Sequence, residues 1–129
     1  MIVVDASVIL EILLRTPAAA RAEERVFGGQ PAAAPHLLDL EVAQVLRRYE
    51  AKGDLDAARG REALTDLADF PLTRYPHDLL LPRIWELRRN LTAYDAAYVA
   101  LAEALGATLV TRDERLAAAP GARATVEVL

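Results

Sequence analysis

Apolar residues recur along this chain in two rhythms, short unbroken runs and a spacing of three to four, and their alternation predicts strands followed by helices. Ile2-Val3-Val4 is an apolar run closed by Asp5, the pattern of a buried strand, and Ala6 to Leu14 continues with helical spacing. Thr16 followed by Pro17 has the form of an N-cap with proline at the first helical position, for a helix through Val26 that stops near Gly28-Gly29. Pro31 and Pro35 bracket an alanine-rich piece that reads as a loop or a short edge element. From Leu38, the residues Val42, Val45, Leu46 and Tyr49 share one helical face, Gly53 stands where a C-terminal glycine belongs, and Glu41 lies at the border of that face. Asp54 is placed to cap a further helix through Leu55, Leu64 and Leu67, closing near Phe70-Pro71. Leu72 to Tyr75 makes a weak second strand, and Asp78 to Arg89 a helix carrying Leu80, Leu81, Ile84, Trp85 and Leu87, with Pro82 tolerable only in its first turn.

The stretch Asn90 to Asp113 is the most regular. Thr92 and Asp95 have the spacing of a capping pair, Gly106 marks the far end of their helix, and Tyr98, Val99 and Ala102 fall on the side of Asp95, a face expected to pack inward. Thr108 to Thr111 is a strand with Asp113 just beyond it; Glu114 to Ala119 reads as a short helix and Thr125 to Leu129 as a last strand. Alternating strands and helices imply an α/β fold with a mostly parallel central sheet flanked by helices, because parallel strands need crossover connections. With no repeat or linker, residues 1–129 are expected to form one domain.

Composition sharpens this picture in three ways. A hydrophobic share of 53% with only six Gly and seven Pro is that of a packed protein rather than a disordered one. The absence of cysteine leaves oxygen or imidazole as the only metal donors, and the two histidines, His36 and His77, sit beside prolines in expected loops, so oxygen is favoured. The net charge of -4 argues against broad electrostatic affinity for nucleic acid, which comes largely from Lys and Arg neutralising phosphates, so nucleic-acid chemistry must rest on a local site. Fourteen of the fifteen basic residues are Arg, a type suited to two-pronged phosphate contacts, and the Arg47-Arg48 and Arg88-Arg89 pairs are either solvated faces or such contacts. The apolar N-terminus lacks a basic leader and is interrupted by Asp5 and Glu11, so neither a secretion signal nor a membrane span is expected, and the expected location is the cytoplasm.

The chemistry lies with four acids. Sites in open parallel sheets form outside the carboxyl ends of the strands, where Asp5 and Asp113 both stand, and the helices bearing Glu41 and Asp95 are able to reach that rim. Two carboxylates about 4 Å apart repel by roughly 4 kcal/mol at an effective dielectric near 20. Either such acids take up protons or a divalent cation neutralises them, and hard oxygen ligands favour Mg²⁺ or Mn²⁺. A phosphodiester at such a site is open to in-line attack by water. Each acid also has a purely structural reading: Asp5 and Asp113 as N-caps, Asp95 as the partner of Thr92, and Glu41 as a solvated flank residue with Asp39 as its rival. Ser7 and Thr111 are either ordinary helix-entry and strand residues or hydroxyls that hydrogen-bond the acids. A phosphoacceptor signalling domain also clusters acids at strand ends, but it wants an acidic pair after the first strand and a lysine near the last, whereas the single Lys52 falls on a mid-chain helix.

The segments IVVDASV, LLDLEVAQVLRR and LTAYDAAYVALAEALGATLVTRDERL, in this order and over nearly the whole chain, resemble the successive motifs of PIN-domain ribonucleases, most closely the toxin subunit of VapBC-type toxin-antitoxin pairs. The resemblance implies a single PIN domain over 1–129, with Asp5, Glu41, Asp95 and Asp113 as an acidic quartet for Mg²⁺ or Mn²⁺ and Thr111 as a hydroxyl beside it. It further implies endonucleolytic cleavage of RNA, homodimerisation, and inhibition by a cognate antitoxin that reaches into the site. Some members carry another acid near the fourth, a position for which Glu114 is the only neighbour here. A non-catalytic PIN-like binding module is the alternative, and the presence of all four acids speaks against it.

Overall fold

The strand β1 (Ile2–Val4) is the middle of a five-stranded sheet, and its three side chains are essentially inaccessible to solvent. The computed structural model describes all residues, 1–129, and runs from β1 through α1 (Ala6–Leu13), α2 (Ala19–Phe27), β2 (Ala32–Pro35), α3 (Leu37–Ala51) and α4 (Ala57–Asp69) to β3 (Leu72–Tyr75). A 3₁₀ turn at Asp78–Leu80 then leads into α5 (Leu81–Glu86), followed by α6 (Ala93–Leu105), β4 (Thr108–Thr111), α7 (Glu114–Ala117) and β5 (Val126–Val128). All pairings are parallel, in the order β3-β2-β1-β4-β5. Three or four residues suffice for these strands because helices cover both faces of the sheet, so every side chain of β1 finds apolar neighbours.

Right-handed crossovers decide which helix covers which face. Moving from β1 to β2 to β3 in one direction places α1 to α4 on one side, and the return from β3 to β4 places α5 and α6 on the other. The packing agrees, since α1 lies against α2, α3 and α4, whereas α5 lies against α6. The chain changes direction between β1 and β4, and in such sheets the crevice at that switch point is where ligands bind.

The expected α/β fold is therefore present, with four local corrections. The alanine-rich piece is a buried interior strand, paired to both β1 and β3, and not a loop or edge. Alanine has poor strand propensity, which hid it, but its small side chain fits a position closed in from both faces. The cap of α4 is Asp56, whose carboxylate accepts from the Arg59 amide at 2.7 Å, and not Asp54. Thr16 caps nothing: its hydroxyl turns back to Glu11, and α2 begins only at Ala19. The helix expected over Asp78 to Arg89 is broken into the 3₁₀ turn and the short α5, with Pro82 in the first turn as it must be and Trp85 turned outward beneath the Arg88 guanidinium. Gly53 and Gly106 do end their helices in the left-handed conformation, with φ of 82° and 61°.

Candidate active site

The last residue of β1 pairs with Val110 of β4, so the residues that follow, Asp5 and Thr111, emerge side by side at the switch point. Asp5 is 7% exposed and begins α1, accepting from the Val8 amide at 3.4 Å, so the N-cap reading is correct as far as it goes. Its carboxylate does more. One oxygen accepts from the Ser7 hydroxyl at 2.5 Å and the other from the Thr111 hydroxyl. Those hydroxyl oxygens in turn accept from the next loop, Ser7 from the Arg112 amide at 2.9 Å and Thr111 from the Asp113 amide at 3.0 Å. Two neutral donors thus hold Asp5 in place and tie it to the segment carrying Asp113. Burial pushes the Asp5 pKa above the usual carboxylate value, and the two hydroxyls oppose that shift.

Glu41, in the second turn of α3, is half-buried and accepts from the Tyr98 phenol at 2.5 Å. Burial raises its pKa, the bond from Tyr98 counters this, and the charges of Asp95 and Asp5 push it further up. Asp95 sits in the first turn of α6, where its backbone amide donates to the Thr92 hydroxyl at 3.1 Å, as the capping pair required. Its carboxylate pKa is raised by burial and then by the charge of Asp113, with Arg115 acting in the opposite sense. Asp113 caps α7 and alone of the four forms a salt bridge: the Arg115 guanidinium grips it with bonds of 3.0 and 2.6 Å and holds its pKa below the usual range.

The four acids thus form a chain of electrostatic neighbours, Asp5 with Glu41, Glu41 with Asp95, and Asp95 with Asp113. No three acidic side chains converge into a finished cation cage. The donor set nonetheless fits a hard divalent ion, being all oxygen, anionic, partly desolvated and, at Asp5, Glu41 and Asp95, uncompensated by any salt bridge. The rivals are elsewhere: Asp39 is committed to Arg74 at 2.8 and 2.9 Å, and His36, His77 and Glu114 are exposed.

The chain as a whole has known counterparts. The PIN domain family model matches residues 2–122, almost the whole chain. The chain belongs to the PIN-domain family of VapC ribonucleases. Ribonuclease VapC9 of Mycobacterium tuberculosis is 46% identical over 129 residues, covering 100% of this chain and 98% of the relative, and ribonuclease VapC1 of the same organism is 43% identical over 92% of this chain and 90% of its own length. Among solved structures, VapBC2 from Rickettsia felis, bound to a DNA fragment from its promoter, superposes with a TM-score of 0.73 at 15% identity, covering 99% of this chain and 98% of the other. The Mycobacterium tuberculosis toxin VapC20, described as sarcin-ricin loop cleaving, gives 0.70 at 16% identity over 92% and 94%, a likeness of fold.

Within this PIN domain, two participants were not foreseen for what they do. Spacing places Tyr98 only on the inward side of α6; the available signal is a phenol in a run otherwise made of Ala, Val and Leu, since a buried Tyr hydroxyl needs a partner. Arg115 gave no signal, because a two-residue reach from Asp113 depends on the loop geometry. An open groove lined by Leu10, Leu37, Leu40, Val45 and Tyr94 leads away from Ser7 and Glu41, with Arg48 on its wall. No helix of this PIN domain is long and apolar enough to cross a membrane.

Proposed function

We propose that this VapC ribonuclease hydrolyses RNA phosphodiester bonds with a divalent cation, Mg²⁺ or Mn²⁺, held by Asp5, Glu41, Asp95 and Asp113, as the toxin of a toxin-antitoxin pair. The observation that carries this is the line of mutually repelling carboxylates at the switch point, of which Asp5 and Glu41 are held by neutral hydroxyl donors and Asp95 forms no salt bridge. Hydroxyls and amides orient an acid without cancelling its charge, which is what a cation site requires and a purely structural ion pair does not. A hard cation bound there supplies Lewis acidity and neutralises phosphate charge. The chain contributes the rest. Ser7 and Thr111 fix both oxygens of Asp5, and Tyr98 fixes Glu41. Burial and the neighbouring carboxylates raise the pKa of Glu41 and Asp95, so a cation bound beside them would favour their ionised forms. Hydrolysis forms a bond from a water oxygen to phosphorus, breaks the P–O bond to one ribose oxygen of the RNA backbone, and delivers a proton, balanced by the one that the water gives up, to that departing oxygen.

The groove beside Glu41 supports a protein partner as well as RNA, since its apolar walls suit an amphipathic segment of a cognate antitoxin, and the superposition on VapBC2 is in keeping with this. A homodimer and a cytoplasmic location complete the reading. The test is direct: purified protein supplied with Mg²⁺ or Mn²⁺ should cut a structured RNA, and Asp5→Asn or Asp95→Asn should abolish cutting while leaving the folded circular-dichroism spectrum intact. Cleavage that survives both chelation and these substitutions overturns the acidic site.

A further inference from the structure

The structure assigns Tyr98 a positioning role: its phenol, donated from α6 on one face of the sheet, aims the carboxylate of Glu41, carried by α3 on the other face, at the acidic site. The inference rests on the acidic-site reading above and adds a residue to it.

Three observations converge. First, the bond from Tyr98 is the one hydrogen bond that the Glu41 side chain makes with the rest of the chain. A glutamate has three side-chain torsions, and leaving them free sets the ordering cost of that side chain against any binding event. Second, the ring of Tyr98 is 1% exposed in a helix whose residues 96–102 are all buried, where phenylalanine would serve equally for packing. The hydroxyl is the only part that packing does not explain, and its one partner is the Glu41 oxygen. Third, α3 and α6 each pack onto β2 and share no extensive contact of their own, so the sheet spaces the two helices and the Tyr98–Glu41 bond is the hydrogen bond that joins them directly. Asp95 and Tyr98 are three residues apart on α6, one turn on the same side, so a single helix both presents one acid and aims a second. A neutral donor is the appropriate chemistry, because an arginine or lysine here would hold Glu41 equally well but cancel the charge that the site offers.

The experiment is a double-mutant cycle on the full-length protein with two readouts, calorimetric titration of Mn²⁺ into the chelator-stripped protein and RNA cleavage. Tyr98→Phe should weaken Mn²⁺ binding by roughly 10- to 100-fold, the usual effect of removing a group that orients a metal-holding side chain. Glu41→Gln should weaken it at least as much, and Tyr98→Phe added to Glu41→Gln should change it by no more than about twofold, since the hydroxyl acts only through the carboxylate. Thermal denaturation of each chelated variant serves as the control for folding. If Glu41→Gln weakens Mn²⁺ binding but Tyr98→Phe leaves it at the wild-type value, or lowers only the melting temperature, Tyr98 is packing and the inference falls while the acidic site stands. If both substitutions lower affinity additively, Tyr98 does not act through Glu41, and the inference again falls. If Glu41→Gln has no effect on affinity or cleavage, the role of Glu41 in the acidic site is wrong, and the role of Tyr98 goes with it.

Discussion

Replacing Thr111 by valine separates the electrostatic content of the site from its packing. The side chain is completely buried at the end of β4, and valine has nearly its shape, so the substitution removes one hydroxyl and little else. That hydroxyl donates to an Asp5 oxygen and accepts from the Asp113 amide. A hydrogen bond to a charged group contributes about 1.5–3 kcal/mol, so a loss of that size is expected at neutral pH in the presence of chelator. For a domain of 129 residues this corresponds to a fall in melting temperature of roughly 5–12 °C. The pH dependence is the sharper part. Because Thr111 lowers the pKa of Asp5, it favours the ionised form, and the deficit of the variant is complete only above the folded-state pKa of Asp5. As pH falls through that value, which burial places above the ordinary 3.8, the carboxyl becomes neutral and the deficit should shrink to about 1 kcal/mol, the contribution of a neutral hydrogen bond. Urea denaturation of both proteins from neutral pH down to the ordinary carboxylate range reads this directly. A deficit of constant size across that range would mean that the loss is one of packing, and no deficit at all would mean that Asp5 is not held through Thr111.

Two further outcomes follow from the same groups and from the corrected cap. In chelator, Asp5, Glu41 and Asp95 bind protons more tightly folded than unfolded, so their contribution to stability falls as pH rises from the ordinary carboxylate values toward neutral; Asp113, Glu103 and Glu127, with lowered pKa values, lose stabilisation only at more acid pH. Saturating Mn²⁺ should remove or reverse the loss toward neutral pH in thermal melts, and an identical pH profile with and without the ion would contradict binding at these acids. Separately, Asp56→Ala should destabilise the fold by about 1 kcal/mol in urea denaturation while Asp54→Ala stays within about 0.5 kcal/mol, and the reverse order would contradict the observed start of α4.

The parts of this protein that were legible in its sequence are those in which one residue answers to one local rule. The run Ile2-Val3-Val4, the glycine at 106 and the pairing of Thr92 with Asp95 each follow from short-range sterics or hydrogen bonding, and each is found in place. The acids were legible for a related reason: Asp5 and Asp113 are caps whatever else they do, so the local reading and the functional one name the same positions. What escaped depends on partners far apart in the chain. Ala32 to Pro35 is a strand only because β1 and β3 lie on either side of it, and no propensity of its own announces this. Tyr98 meets Glu41 across 57 positions of sequence and over the rim of the sheet. The choice between Asp54 and Asp56 turned on two residues, within the uncertainty of any helix boundary judged from pattern.

The way Asp5 is held bears on how inactive variants of this protein are to be interpreted. A carboxylate accepts at both oxygens, and here both are met by hydroxyls whose own oxygens fasten the backbone at Arg112 and Asp113. An amide accepts at one end only and presents a donor at the other, so Asp5→Asn obliges either Ser7 or Thr111 to turn its proton toward another acceptor, beside the loop that carries Asp113. The substitution therefore subtracts one acid and disturbs a hydroxyl that fastens the segment of another. Asp95 belongs to a different helix and has no part in that fastening, which makes Asp95→Asn the cleaner subtraction and the better background against which to judge the remaining three.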